Sequence, residues 1–262
     1  MNIVFLSSES AHHFYLINEV HRYHPVKKVF FQTIYEERKS WSEKIKKWAH
    51  PKNYGTAVRI LLERALFGRE EALEERFERE YFFGGQAPSL NSGIPAVKVR
   101  TFNDERTVEL VATQAPDLII VFGTEILKGK ILRTAKLHIL NIHRGILPKY
   151  RGGGMPAWVF YNNDFRNIGT TVHVCSEKLD AGDIVGQKFY QLQKNDRTHM
   201  LRGKTTVLAA EILNEVIDKI KKGALEYQKQ ELLTPWSVKD LTLGKRLAAR
   251  RNFNRYIRTL TH

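Results

Sequence analysis

Only one cysteine, Cys175, occurs in the 262 residues. No internal disulfide can form, which fits a reducing, cytoplasmic setting, and there is no cysteine pair to hold zinc. Cys175 reads more readily as a packed strand residue than as a nucleophile. No run of about 18 apolar residues marks a transmembrane helix. The opening MNIVFLSSES lacks a basic start and a long apolar stretch, so a first strand is expected there rather than a signal peptide. The turn after that strand, Ser7, Ser8, Glu9 and Ser10, lacks the GxGxxG of a dinucleotide-binding turn. Repeats and low-complexity linkers are absent, and no metal site is expected. Acidic residues are in deficit, 28 against 42 basic, for a formal net charge of +14. That excess admits nucleic acid, an anionic membrane surface or phosphorylated substrates. It is concentrated at the end: residues 239–262 carry seven Lys and Arg against the single Asp240. A solvated basic tail that docks on an anion and a surface helix without a partner both fit.

The elements that are present read as α/β. Residues 2–7 form a strand, residues 8–23 a helix with Phe14, Ile17 and Val20 on one face, and residues 26–33 a second strand. This β-α-β opening implies a parallel sheet. His12 and His13 sit near the strand edge, where adjacent histidines would point to different faces. Residues 35–83 read as a charged helical insertion, with an apolar stripe at Val58, Leu61, Leu62, Ala65 and Leu66. It fits a cover over the active site or a subunit contact. A short strand at 93–99 and a helix at 104–114 follow. Residues 116–122, PDLIIVF, are a strand buried on both faces. Strands at 137–143, 169–176 and 182–193, a short helix at 155–161 and a long amphipathic helix at 205–222 complete the pattern. A catalytic domain over 1–222, with its insertion at about 35–90, is expected to precede a basic extension at 223–262.

Residues 137–154, LHILNIHRGILPKYRGGG, hold the chemistry. Along a strand Leu137, Ile139, Asn141 and His143 share a face, which changes from apolar to reactive as the C-terminal edge is reached. Open α/β sheets bind ligands at that edge. The glycines 152–154 let backbone approach a ligand closely. Taken alone, Asn141 and His143 fit a buried strand with satisfied polar groups equally well.

Three features occur together: Asn141-x-His143, the Leu-Pro-Lys-Tyr-Arg-Gly loop at 147–152, and the Leu-Asp-Ala-Gly-Asp-Ile turn at 179–184. With the Gly-Thr-Thr-Val-His strand they resemble the folate-dependent formyltransferases, over roughly 117–193. The resemblance implies a Rossmann-like, mainly parallel sheet, 10-formyltetrahydrofolate as formyl donor, and catalytic Asn141, His143 and Asp180. It places the donor at Phe122, Gly123, Glu125, Ile126 and Leu127 together with Ser176 and Leu179, and the acceptor against Tyr150, Arg151, Gly152 and Gly153. The chemistry supports these roles independently. Formyl transfer to an amine develops an oxyanion, which one amide donor stabilises by about 3–4 kcal/mol. An imidazole relays the amine's proton, and a carboxylate beside it favours imidazolium. Asp183 is the rival carboxylate; His173, in mid-strand, reads as structural.

The acceptor follows from departures. The turn SSES replaces the Gly-rich phosphate loop of the purine enzymes in this family. About 40 residues after the last long helix are too few for the C-terminal barrel of the methionyl-tRNA enzymes. Arg144 and Gly145 stand where many relatives read Pro-Ser or Ala-Ser. What remains resembles the sugar N-formyltransferases, so an amino sugar linked to a nucleoside diphosphate is the expected small-molecule acceptor. Methionyl-tRNA, for which the basic tail argues, is the alternative. A non-catalytic RNA-binding protein on the same fold is a second, opposed by the intact trio. A homodimer is compatible with the sequence.

Overall fold

A computed structural model describes residues 1–33 and 54–260, with the side chains of the second helix described from residue 67 onward. The strands are β1 (Ile3–Ser7), β2 (Val26–Gln32), β3 (Ala96–Val99), β4 (Leu118–Phe122), β5 (His138–His143), β6 (Gly169–Val174) and β7 (Ile184–Phe189). They form a seven-stranded sheet in the order β3-β2-β1-β4-β5-β6-β7. Pairs from β3 to β5 are parallel, while β6 and β7 run antiparallel. The helices are α1 (Ala11–Tyr23), α2 (Tyr54–Phe83), α3 (Glu105–Ala112), α4 (Ala157–Tyr161), α5 (Leu201–Lys221) and α6 (Leu243–Thr259). Among the described residues no helix is long and apolar enough to cross a membrane.

β4 shows why the sheet is enclosed. Its Leu118, Ile120 and Phe122 join Leu16, Ile17 and Val20 of α1 and the apolar face of α5 in one core. Its Ile119 and Val121 join Val111 of α3, Phe102 and Ile131 in another. Strand order reverses between β1 and β4, and such a point leaves a crevice beyond the strands' C-terminal ends. In β5 the same alternation buries Leu140 and Ile142 on one face and Ile139 on the other. Asn141 and His143 continue the Ile139 face at that crevice.

Part of the expected insertion helix, residues 35–53, lies outside the described residues, as do the side chains of the stripe from Val58 to Leu66. α2 packs on the core through Phe82, which stacks on Tyr15 of α1 at 3.9 Å between ring centroids, and through the buried Glu78.

The basic C-terminal segment is not a solvated tail throughout. α6 buries Ala249, Asn252, Phe253 and Ile257 against α4 and Trp158. Ala249, Phe253 and Ile257 recur every four residues, a stripe that the surrounding arginines obscure in the sequence. Asn252 Nδ2 donates to the Phe160 and Tyr161 carbonyls at 3.1 and 3.2 Å, satisfying carbonyls at the end of α4. Between α5 and α6 the chain returns over the sheet as a strap. Trp236 N–H donates to the Arg151 carbonyl at 2.8 Å, Gly153 N–H to the Trp236 carbonyl at 2.9 Å, and the Trp236 indole to the Lys149 carbonyl at 3.0 Å.

Candidate active site

Asn141, His143 and Asp180 converge although 39 positions separate the first from the last. His143, at the end of β5, lies with Nδ1 3.4 Å from Asp180 Oδ2, and both side chains are buried. Its Nε2–H donates to the Tyr150 carbonyl at 2.6 Å. Since a carbonyl only accepts, the neutral ring has its lone pair on Nδ1, facing Asp180. Asn141 Nδ2 donates to His173 Nε2 at 3.0 Å and approaches Asp180 Oδ1 at 3.4 Å. The second contact is at the weak limit of a hydrogen bond, so that N–H is the one an incoming oxygen can claim.

His173 belongs to this site, against the expectation of a structural strand residue. Its Nδ1–H donates to the Val174 carbonyl at 2.9 Å, which leaves Nε2 to accept from Asn141. The antiparallel pairing of β6 on β5 sets it directly opposite Asn141. Strand alternation alone does not reveal this; the order and direction of β6 do.

Asp180 sits in the left-handed region at φ 45°, where Asp is among the residues that settle with least cost. Gly152 N–H donates to its Oδ2 at 3.1 Å, and Gln230 Nε2 donates to its carbonyl at 3.2 Å. Two residues on, Gly182 passes so close to Val174 that a Cβ would stand 1.8 Å from its carbonyl oxygen. The structure thus brings Asp180 to the two rings. The Asp183 carboxylate makes no hydrogen bond among the described residues.

The charges follow from burial and neighbours. Desolvation lowers the pKa of His143, and Asp180 and the Tyr150 carbonyl only partly offset this, with His173 and Arg144 lowering it further. His143 is therefore neutral at pH 7. Burial pushes the Asp180 carboxyl up, but His173, His143 and the Gly152 N–H outweigh it and hold the group below its usual range.

A cavity of about 200 Å³ adjoins the trio at the ends of β4 and β5. Gly123, Glu125, Ile126, Leu127, Ser176 and Leu179 line it together with Asn141 and Asp180. Ile126 and Leu179 are 47% and 39% exposed, an apolar pair beside loop backbone that suits a flat heteroaromatic ring. The Glu125 carboxylate is turned away, accepting from Phe102 N–H at 2.8 Å and from Thr101. Phe122 does not line the cavity: its ring lies in the core, 4.4 Å from His13 between centroids. His13 and His12 are both buried against that ring rather than divided between core and solvent.

Tyr150 also differs from the expectation of a substrate contact. Its ring packs on Trp236 and its hydroxyl donates to Asp164 at 2.8 Å, so its link to the site is the carbonyl that holds His143. Arg151 is buried and donates to the Leu179 carbonyl at 2.5 Å and the Leu233 carbonyl at 3.0 Å, tying the Asp180 turn to the strap. Gly152, at φ 95°, and Gly153 lie under Trp236.

Comparison with known proteins gives these positions a setting. The formyl transferase family model matches residues 1–217. A methionyl-tRNA formyltransferase of Limosilactobacillus fermentum is 33% identical over 145 residues, 55% of this chain and 45% of that protein. The chain thus spans about half the length of the curated relatives it matches. Among solved structures, a sugar N-formyltransferase from Shewanella sp. superposes with TM-score 0.59 at 14% identity, covering 96% of this chain and 87% of that one. The sugar 3N-formyl transferase WlaRD, solved in the presence of dTDP and 5-N-formyl-THF, gives 0.57 at 16% identity, with 98% and 81% covered. At such identities the two structures establish the fold.

Proposed function

The chain belongs to the formyl transferase family, and from that premise we propose that it transfers a formyl group from 10-formyltetrahydrofolate to the primary amine of an amino sugar linked to a nucleoside diphosphate. The observation that carries the reading is the convergence of Asn141, His143 and Asp180 beside the 200 Å³ cavity: Asn141 and Asp180 line it, and His143 lies 3.4 Å behind Asp180. That cavity suits the pterin ring, with Gly123, Ile126, Leu127 and Leu179 around it. The bound donor would supply an activated formyl carbon and leave as tetrahydrofolate, its nitrogen taking up the proton that the amine gives up. Asn141 turns the N–H that faces Asp180 Oδ1 at 3.4 Å to the formyl oxygen as charge develops there. Neutral His143 receives the amine's proton at Nδ1, the nitrogen that Tyr150 leaves open. Asp180, 3.4 Å away, stabilises the imidazolium so formed.

The amino sugar acceptor is supported by the extent of the shared fold with sugar N-formyltransferases, nearly the whole chain. The runner-up acceptor, methionyl-tRNA, is supported by the sequence relatives, whose matched segment is about half of this chain, and by the basic face of α6. The decisive experiment incubates the protein with 10-formyltetrahydrofolate and a panel of amino sugar nucleotides or charged initiator tRNA, and reads the mass gain of a formyl group. His143→Ala should lower turnover by about 100-fold or more while leaving the protein folded. Near-normal turnover in that variant would remove the catalytic role of His143.

A further inference from the structure

Arg144 directly follows His143 and enters a group of charges between α1, α2 and α5. Arg202 takes the carboxylates of that group: Nη1 lies 2.8 Å from Glu74, and Nε and Nη2 donate to the two oxygens of Glu78 at 2.5 and 3.1 Å. Glu78 also accepts from His12 at 3.2 Å. Arg144 is half-buried, and among the described residues it makes no hydrogen bond and no ion pair. A guanidinium offers five donors in a planar fork, and withdrawing it from water without a partner is costly. Desolvation and the Arg202 charge lower its pKa, and Glu74 and Glu78 do not compensate. Arg144 borders a narrow recess with Gly145, Pro156 and Arg202. Pro156 and Arg202 also line a cavity of about 710 Å³ between α2, α6 and the loop at 154–157. A guanidinium without a partner among the described residues, one residue from the proposed proton acceptor, thus borders a recess that shares Pro156 and Arg202 with a large cavity, whose wall also carries Glu70, Glu71 and Glu74.

We propose that an oxyanion of the amine substrate, a phosphate or a carboxylate, docks on Arg144 from this cavity, so that Arg144 selects anionic acceptors. The inference rests on the formyl-transfer reading and narrows it. The fork matches two oxygens of either group bidentately. Docking also neutralises a charge that opposes protonation of His143, so the base strengthens once the correct acceptor is seated.

The test uses inorganic phosphate and acetate as probes, by titration calorimetry at constant ionic strength, on wild type, Arg144→Gln, Arg144→Lys and Arg251→Gln. Arg251 lies on the exposed face of α6 and controls for surface charge. Arg144→Gln should weaken anion binding about tenfold or more, the loss of a charge-assisted pair. Arg144→Lys keeps the charge and loses the fork, so it should fall between; it carries the test if Arg144→Gln does not fold. Arg251→Gln should bind as wild type. Tighter phosphate assigns a phosphoryl group to the acceptor, and tighter acetate a carboxylate. With acceptor in hand, KM should rise in Arg144→Gln with kcat and donor binding little changed. The inference is overturned if wild type binds neither anion, if Arg251→Gln loses binding as much as Arg144→Gln, or if Arg144→Gln turns over anionic acceptors normally; formyl transfer itself then still stands. Arg144-dependent phosphate binding without formyl transfer to any amine would instead support the anion site and sink the catalytic reading.

Discussion

The two nitrogens of His143 are given different tasks by backbone alone. The Tyr150 carbonyl fixes Nε2 as the donor, and it does so because Gly145 leaves room: a Cβ there would stand 2.6 Å from Nε2 and 2.7 Å from the carbonyl oxygen. Gly145→Ala should therefore push the ring aside and cost about 100-fold in kcat, the scale of a misplacement of about 1 Å, with donor affinity largely kept. A variant with wild-type kcat would show that the ring position is not constrained there. Asp180 acts on the same ring through charge. Asp180→Asn preserves the left-handed backbone, which Asn tolerates, and removes the interaction that raises the His143 pKa. The acid limb of kcat/KM should shift to lower pH as maximal turnover falls, whereas Asp183→Asn should change neither. If Asp183→Asn abolishes activity and Asp180→Asn is near normal, the carboxylates are assigned the wrong way round. Asn141, His143 and Asp180 were singled out through the family resemblance, because strand and turn pattern alone fits satisfied buried polar groups and a turn Asp equally well. His173 was not, because its role depends on which strand lies beside β5.

At the scale of elements, one buried carboxylate adds to the contacts that fasten α2. Glu78 is fully buried, gripped by Arg202 and bonded to His12. Removing one partner of a buried pair strands the other, at about 3–5 kcal/mol. Glu78→Ala should lose stability on that scale in a denaturant melt, while the exposed Glu71→Gln should stay within about 0.5 kcal/mol of wild type. Equal effects would mean that the buried cluster does not anchor the helix. The sequence of this region reads as a charged helical insertion, since charge patterning does not show that Glu78 turns inward. The strands were plainer: LIIVF in β4 was read as buried on both faces and is so, residue by residue. In α6 the arginines dominated the composition, and the stripe at Ala249, Phe253 and Ile257 was overlooked.

The whole molecule keeps several imidazoles uncharged. The pKa values of His12, His13 and His143 are all lowered from about 6.5, in each case first by burial. The unfolded chain then binds protons that the folded chain refuses, so stability is complete above about pH 6.5 and lost as pH falls through the lower folded values. The melting temperature at fixed ionic strength should decline between pH 7 and 5, before the carboxylates titrate. A flat profile across that range would show that these rings accept protons without strain on the fold.

The strap over the loop at 147–153 has a consequence for synthesis. Arg151 reaches Leu233, 82 positions later, and Trp236 bonds to Lys149 and Arg151. A ribosome delivers the trio well before it delivers these clasps, by about 3–11 seconds for 56 residues at 5–20 per second. Loop closure takes far less time than that. Translation, rather than folding, thus sets when the loop beneath His143 is secured, and a nascent chain that already contains Asn141, His143 and Asp180 holds them for seconds in a site still open on one side.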